Sequence, residues 1–227
     1  MEPIVVAGKN CWRSETYSRA SVIVDAADYY HWARTAMEAA RVSILVIGWD
    51  FDTRIGLEPQ KASCETLGEF FFSMARQKPY RLILILKWSF GAKKQFLRPS
   101  AAWMLWKWRR TRAIDFRFDS AHPPGCNHHQ KIVVLDDRIA FCGAIDISTA
   151  RWDTSDHHDD DARRKLPSGK AYGPWHDATM VLEGQVASAL GELGRDRWVR
   201  ATHTHLVAGE SRGHRHGLTT FRRSSKM

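Results

Sequence analysis

A histidine and a lysine placed two positions apart carry the clearest chemical signal in this sequence. His129-Gln130-Lys131 is followed five residues later by Asp136, at the end of a short apolar run. Because side chains two apart on a strand face the same side, the imidazole of His129 and the ammonium of Lys131 are predicted to project together. An imidazole can attack phosphorus to give a covalent phosphoenzyme, and an ammonium can meet the charge on the non-bridging oxygens. The pattern indicates a phosphodiester site, with Asp136 placed to order the turn or to orient a positive partner.

The residues around this pair favour a functional site over a chance arrangement on an exposed strand. An isolated His-x-Lys pair would more often be accidental. Here the Pro-Pro-Gly sequence at 123–125 bends the chain into the strand. The Gly-Ala-Ile-Asp sequence at 143–146 closes the next strand with small residues, where a ligand could approach.

Alternating strands and helices must position this pair. The run at 42–51 is almost continuously apolar, which is typical of a strand covered on both faces. We predict strands at 21–25, 42–51, 82–86, 114–118, 131–135, 139–142 and 178–182, and helices at 26–41, 67–75, 101–112 and 185–198. The alternation indicates an α/β layered domain.

Several ordered blocks of the chain resemble the phospholipase D superfamily. The blocks are HHQKIVVLDDRIAFCGAIDIS, RWDT and PWHDATMVLEGQVASALGELGRDRW, preceded by NCWR, VDAADYY and ILVIGWDFD. They are similar to the first half of a two-motif phospholipase D, over roughly residues 10–200. The resemblance implies a layered fold with a central mixed β-sheet flanked by helices, equal to one lobe of such an enzyme.

The resemblance also implies roles for individual residues. His129 resembles the nucleophile that forms phosphohistidine, Lys131 the phosphate-binding lysine and Asp136 the motif aspartate, which together make the expected catalytic set. Asp146 could hydrogen-bond the nucleophile or shape the pocket. The residues expected to bind substrate or to support the catalytic set are Asp146, His128, Gln130 and Asp177. No cofactor and no catalytic metal are expected.

The second His-x-Lys motif of the two-motif enzymes is absent. In those enzymes a second histidine protonates the leaving alcohol and later activates water. The histidines at 203, 205, 214 and 216 have no lysine two residues after them. Either two chains pair to complete the site, as in single-motif relatives, or the chain carries half a site; the likeness to the two-motif branch favours the second alternative slightly.

Three functions follow from this resemblance. The leading one is hydrolysis or transfer of the phosphatidyl group of phospholipids through a phosphohistidine. The alternatives are a homodimeric single-motif nuclease of the same superfamily, and a catalytically incomplete half that binds lipid.

Positive charge is concentrated in two segments. Residues 200–227 hold six Lys/Arg and one Asp/Glu, which is +5 of the total of +9. There the apolar pattern dissolves, so we predict a phospholipase D-like domain at 1–199 and a basic, disordered tail at 200–227. Between Arg81 and Ile114 lie nine Lys/Arg and no acid, interleaved with Trp and Phe. This segment fits a surface for anionic lipid, less well a nucleic-acid surface, or simply a helix that buries Trp103 and Trp106 under a solvated basic face.

The remaining features bear on location and metal binding. The four cysteines match no zinc pattern, no signal-peptide pattern opens the chain, and the longest apolar run is far short of the ~20 residues that span a membrane. We expect free thiols and a cytoplasmic protein, with peripheral attachment to a membrane as an option. The acidic loop at 153–161 could bind a divalent ion, but consecutive acids rarely converge on one ion, so this has little weight.

Overall fold

The computed structural model describes residues 4–61, 64–78, 82–88, 99–123 and 125–206. Within these ranges the chain forms seven strands and four helices. The strands are β1 (Arg19–Val24), β2 (Ser43–Gly48), β3 (Leu82–Trp88), β4 (Ile114–Asp119), β5 (Lys131–Leu135), β6 (Ile139–Gly143) and β7 (Ala178–Glu183). The helices are α1 (Ala26–Ala39), α2 (Leu67–Gln77), α3 (Pro99–Arg110) and α4 (Gln185–Thr202).

All seven strands belong to one mixed sheet in the order β1-β7-β6-β5-β2-β3-β4. The β2–β3 and β3–β4 pairs are parallel, and the other four pairs are antiparallel. The strand that begins at Lys131 is therefore the middle strand, with three strands on each side. The predicted α/β layered fold with a mixed sheet is confirmed.

Helices cover both faces of the sheet, which explains the continuous apolar runs. In β2, Ile44 and Val46 face one core while Leu45 and Ile47 face the other, as the two-residue period of a strand requires. The first core contains apolar residues of α1, α2 and α3, and the second contains Ala187 and Trp198 of α4. A strand in this position is therefore apolar on both faces over most of its length.

The helix that precedes the predicted tail is longer than predicted. It continues to Thr202, and His203 ends it in the left-handed conformation. Ala201 and Leu206 pack against the second core, so the first residues of the predicted tail belong to the folded domain. The boundary at 200 is therefore too early, and the rest of the predicted tail, 207–227, lies outside the described residues.

In the basic aromatic segment, the tryptophan that lies in the core is Trp108 and not the predicted pair Trp103 and Trp106. Trp108 is buried and donates a hydrogen bond to the Gly68 carbonyl, 3.1 Å away. Trp103 and Trp106 remain 54% and 43% exposed, so burial of that pair was a wrong prediction. The basic and aromatic residues at 89–98 lie outside the described residues. Among the helices that the structure describes, none is both long and apolar enough to span a membrane.

Candidate functional site

Chemically active side chains gather at one edge of the sheet, which we call the site edge. Register brings the ends of six strands together there: Gly48 of β2 lies beside Lys87 of β3, Lys131 of β5 beside Gly143 of β6, and Val24 of β1 beside Ala178 of β7. Because β5 and β7 start at this edge and β1, β2, β3 and β6 end there, residues distant in sequence become neighbours.

The structure brings the His129 imidazole and the Lys131 ammonium together at the site edge. Lys131 Nζ lies 2.9 Å from Nε2 and 3.0 Å from Nδ1 of His129, and 3.2 Å from its carbonyl oxygen. The His129 residue is exposed, whereas Lys131 is only 7% exposed. An open imidazole beside a lysine seated deeper in the fold can meet the phosphorus and the oxygens of one phosphodiester.

Burial and charged neighbours together set the pKa of Lys131. Burial lowers the pKa of its ammonium below the ordinary value, and the positive charge of Arg151 lowers it further. The carboxylates of Asp146 and Asp177 oppose this by favouring the charged form. Asp146 Oδ2 lies 3.8 Å from Lys131 Nζ, so these acids help to keep the lysine cationic.

Asp146 is held in place by contacts with Asp50, Tyr30 and Lys131. Its Oδ1 accepts a hydrogen bond from the Asp50 N–H at 3.1 Å, and its carbonyl accepts one from the Tyr30 hydroxyl at 2.8 Å. Burial raises the pKa of Asp146, although the Asp50 N–H and the Lys131 charge oppose that rise. The structure thus places Asp146 against Lys131, and this contact supports the lysine.

A polar network at the ends of β2 and β3 was missed by the sequence reasoning. The Asp50 carboxylate pairs with the buried Lys87 ammonium through Oδ1 and accepts the Ser148 hydroxyl through Oδ2. Burial alone would raise the pKa of Asp50, but the Lys87 charge and these hydrogen bonds lower it below its usual value. The available signal was a lysine inside an otherwise apolar strand, which requires a buried partner.

Two tryptophans form a wall beside His129, and these too were missed. The rings of Trp49 and Trp88 stack with centroids 5.6 Å apart, and Trp49 meets the His129 ring edge-on at 5.6 Å. Trp88 donates a hydrogen bond from Nε1 to His122 Nε2 at 3.0 Å. The wall limits the orientations of the His129 ring. Trp49 follows β2 directly, so only the β2–β5 register could have revealed this contact.

Asp136 lies at the opposite end of β5 from Lys131, which corrects its expected place in the catalytic set. Its carboxylate accepts hydrogen bonds from three successive backbone N–H groups, those of Arg41, Val42 and Ser43, each at 2.8 Å. These bonds fix the connection between α1 and β2. The full length of β5 separates Asp136 from His129, and the hydrogen bonds of this carboxylate order the fold.

The other predicted supporting residues take separate positions. His128 faces α4, where Arg197 Nη1 lies 2.6 Å from its Nδ1, and its Nε2 lies 3.1 Å from the Ala121 carbonyl. Gln130 has a buried Oε1 with no hydrogen-bond partner among the described residues. Asp177 caps its own strand by accepting the Ala178 N–H at 2.8 Å. Of these three, only Asp177 acts electrostatically on Lys131.

The acidic loop does not gather its carboxylates into one group. Asp153 Oδ1 is held by Arg164 Nη1 at 2.9 Å, and Asp161 pairs with Arg163 instead. One residue of the loop, His157, joins Asp25 and His176, and ligand-type atoms of these three lie within 4.8 Å of one another. In the described part of the chain this is the group with the composition of a metal site.

Comparison with known proteins agrees with this geometry. The sequence matches the phospholipase D family over residues 36–216. Nuc from Salmonella typhimurium, a phospholipase D family member, superposes with a TM-score of 0.51 at 14% identity, covering 80% of this chain and 96% of that one. NucT from Helicobacter pylori gives a TM-score of 0.52 at 10% identity, covering 79% and 95%. At these identities the two structures show a shared fold.

Curated sequence relatives carry the phospholipase D name and are much longer than the matched segments. Phospholipase D B of Dictyostelium discoideum is 29% identical over 112 residues, which is 38% of this chain and 9% of the relative. Phospholipase D alpha 1 of Oryza sativa subsp. japonica is 34% identical over 97 residues, 31% of this chain and 12% of the relative. Human phospholipase D1 is 36% identical over 55 residues, 23% and 5% respectively.

Proposed function

The chain belongs to the phospholipase D family, a superfamily of phosphodiesterases, and from that premise we propose that it cleaves the phosphodiester of phospholipids with His129 as nucleophile. One observation carries the proposal: Lys131 Nζ lies 2.9 Å from His129 Nε2 at an open edge of the sheet. The two groups can contact one phosphate at the same time, the imidazole at phosphorus and the ammonium at a non-bridging oxygen.

The proposed reaction has two displacements at phosphorus. A ring nitrogen of His129 attacks, a P–N bond forms, and the bond from phosphorus to the leaving alcohol oxygen breaks while a general acid protonates that oxygen. Water then attacks phosphorus and gives its proton to the same group, and the P–N bond breaks. An alcohol in place of water would give transfer of the phosphatidyl group. Lys131 holds the phosphate through both steps.

The general acid is proposed to be His129 of a second copy of this chain. The sequence has one His-x-Lys motif, and a two-fold axis through the site edge would set a second motif opposite the first. Both solved structures named above are matched over at least 95% of their length, so chains of about one lobe occur in this fold.

Exposed aromatic and basic side chains on α3 support the proposal of a lipid substrate. Trp103 and Trp106 stack with centroids 4.7 Å apart and remain exposed. The Arg110 guanidinium lies 3.7 Å from the Trp106 ring centroid, and Lys107 Nζ lies 5.6 Å from that of Trp103. Exposed indoles beside cations suit the headgroup layer of an anionic membrane, so we propose a cytoplasmic protein that attaches peripherally.

The direct test measures phosphatidylcholine hydrolysis and acid-labile phosphohistidine in parallel. His129→Asn is expected to abolish both turnover and labelling, since no bond to phosphorus can form. His158→Asn is the matched control, because that exposed histidine lies in a loop outside the pair. Turnover that survives in His129→Asn would refute the assignment.

A mixing experiment tests the second copy. When equal amounts of wild type and His129→Asn exchange subunits, a site that needs both histidines keeps about a quarter of the wild-type activity, whereas a one-chain site keeps about half. Light scattering on the same samples would give the dimer fraction.

The two alternatives give different outcomes in the same assays. A homodimeric nuclease would nick plasmid DNA and leave phosphatidylcholine intact, and stacking on Trp103 and Trp106 would then serve bases. A catalytically incomplete half would label His129 in a burst without turnover. Each outcome replaces the lipid-hydrolase proposal by one named alternative.

A further inference from the structure

A cluster of ligand-type side chains outside the His129–Lys131 pair surrounds the start of α1. Asp25, His157 and His176, which we call the Asp25 cluster, come from three separate segments. His157 Nε2 lies 3.2 Å from Asp25 Oδ2, and His176 Nδ1 lies 2.8 Å from Asp25 Oδ1. We propose that the Asp25 cluster binds one divalent ion of the zinc class and that this ion ties the three segments together.

The donor set and spacing suit that class of ion. Two imidazole nitrogens and a carboxylate oxygen are common ligands of zinc. A tetrahedral ion with bonds of roughly 2.0 Å has donors about 3.3 Å apart. One ligand atom from each of the three residues lies within 4.8 Å of the other two, so a modest rotation of the side chains would bring the donors to that spacing. His176 is largely exposed, so its ring can adjust and a water can take the fourth position.

One oxygen of the buried Asp25 carboxylate has no hydrogen-bond partner among the described residues. Asp25 is 1% exposed, and its Oδ1 also accepts the Asp177 N–H at 3.1 Å. Its Oδ2 is buried without a hydrogen-bond partner among the described residues, although His157 Nε2 is nearby. A buried carboxylate oxygen without a donor is costly, and a bound cation would remove that cost.

A buried carboxylate orients His157 toward the Asp25 cluster. Asp153 Oδ2 lies 3.0 Å from His157 Nδ1 and accepts the Trp175 N–H at 2.9 Å, while Asp153 Oδ1 accepts from Arg164 at 2.9 Å. When the ring is neutral and donates its Nδ1 proton to Asp153, the lone pair of Nε2 faces Asp25 and is free to bind a metal ion. Metal-bound histidines in proteins are generally held by an outer carboxylate in this way.

The proposed ion is structural, and the chemistry at His129 stays free of metal. The segment 157–176 that it closes is flanked by Arg151 and Asp177, whose charges act on Lys131. Arg151 also lies over the Trp175 ring, 4.1 Å from its centroid. Metal binding had little weight in the sequence analysis because the consecutive acids of the loop were not expected to converge on one ion, and Asp25 and His176 lie outside that loop.

The test is a calorimetric titration of Zn²⁺ into the full-length chain. Four histidines at 203, 205, 214 and 216 are first replaced by Gln, since they could bind zinc by themselves. This parent is expected to take up one equivalent. His176→Gln removes an exposed ligand and is expected to weaken uptake at least about tenfold, as outer-shell changes alone do. His158→Gln is the matched control and should bind like the parent.

Two further readouts separate lost binding from lost folding. Without metal, the Tm of His176→Gln is expected to equal that of the parent, and Zn²⁺ should raise the Tm of the parent only. Co²⁺ should give the visible absorption of a tetrahedral site in the parent and in His158→Gln but not in His176→Gln. No zinc uptake by the parent, or equal uptake by the two single variants, would overturn the proposal and leave an ion pair between His157 and Asp25.

Discussion

Three successive backbone N–H groups donate to the Asp136 carboxylate, and these bonds make Asp136 a stability residue. Asp136→Ala is expected to lower the free energy of unfolding by roughly 2–3 kcal/mol, because partly buried donors lose their acceptor. Asp137→Ala removes a partly exposed pair with Arg195 at a residue with the same positive φ of 54° as Asp136, so both variants carry the same backbone cost. Asp136→Ala should therefore be the more destabilising by about 1–2 kcal/mol. Urea unfolding measures both. An Asp136→Ala protein of unchanged stability with no turnover would instead place this carboxylate in the chemistry.

Asp146 is expected to control the pH range over which Lys131 remains charged. Asp146→Asn keeps an oxygen for the Asp50 N–H but removes the charge that favours the ammonium. The pKa of Lys131, already lowered by burial, should fall further, so the ammonium is lost at lower pH. The alkaline limb of the pH profile of kcat/KM should therefore move to lower pH. A limb that stays in place would mean that Lys131 does not control it.

The sequence reveals contacts between residues close together in the chain, but it does not reveal contacts that depend on the register of neighbouring strands. The approach of His129 to Lys131 could be predicted because it depends only on a separation of two positions along the chain. The structure differs in one respect, since β5 begins at Lys131 and His129 lies just before the strand. The approach of Trp49, Asp50 and Lys87 depends on how β2 lies beside β5 and β3, and no local pattern specifies that register. The expectation that Asp136 orders the chain at the end of its strand agrees with its three backbone hydrogen bonds, whereas its place in the catalytic set came from the family resemblance.

At the scale of elements, the contact between β6 and β7 sets the geometry beside Lys131. A Cβ added to Gly143 would lie 2.4 Å from the Thr179 Cα, which is backbone and cannot rotate away. Gly143→Ala is expected to cost about 1–3 kcal/mol and to lower turnover, since Gly143 is the register partner of Lys131. Gly173→Ala is the control, with nothing within 4 Å of the added carbon. Thermal unfolding that gives equal Tm values for both variants would contradict this account.

The predicted elements all occur, with ends that differ by a few residues. The strand predicted at 131–135 is found at those residues because polar residues bound an apolar run on both sides. The end of α4 was placed too early, because Ala201 and Leu206 are isolated apolar residues whose burial only the second core reveals. Helix ends that depend on tertiary contacts cannot be predicted from local periodicity.

At the scale of the whole molecule, the Trp103–Trp106 pair is exposed to solvent, and we expect this pair to mediate membrane attachment. Replacing both residues by Ser should weaken sedimentation with phosphatidylglycerol vesicles by about tenfold or more, because each indole contributes buried apolar area at the interface. Trp32→Ser is the control, since Trp32 is equally exposed on another helix. Equal loss in the control and the double variant would exclude a specific surface. Helical spacing alone did not show which tryptophans of α3 face outward, and the structure places Trp108 in the core.

The seven-strand order has a consequence for how long the site survives partial opening of the fold. Sheets fray from their outer strands, and here β1 and β4 are outermost while Lys131 begins the fourth strand from either side. Amides of the central strand should be among the last to exchange with deuterium. The lysine would thus keep its place through excursions that detach the periphery, and only global unfolding would disperse it.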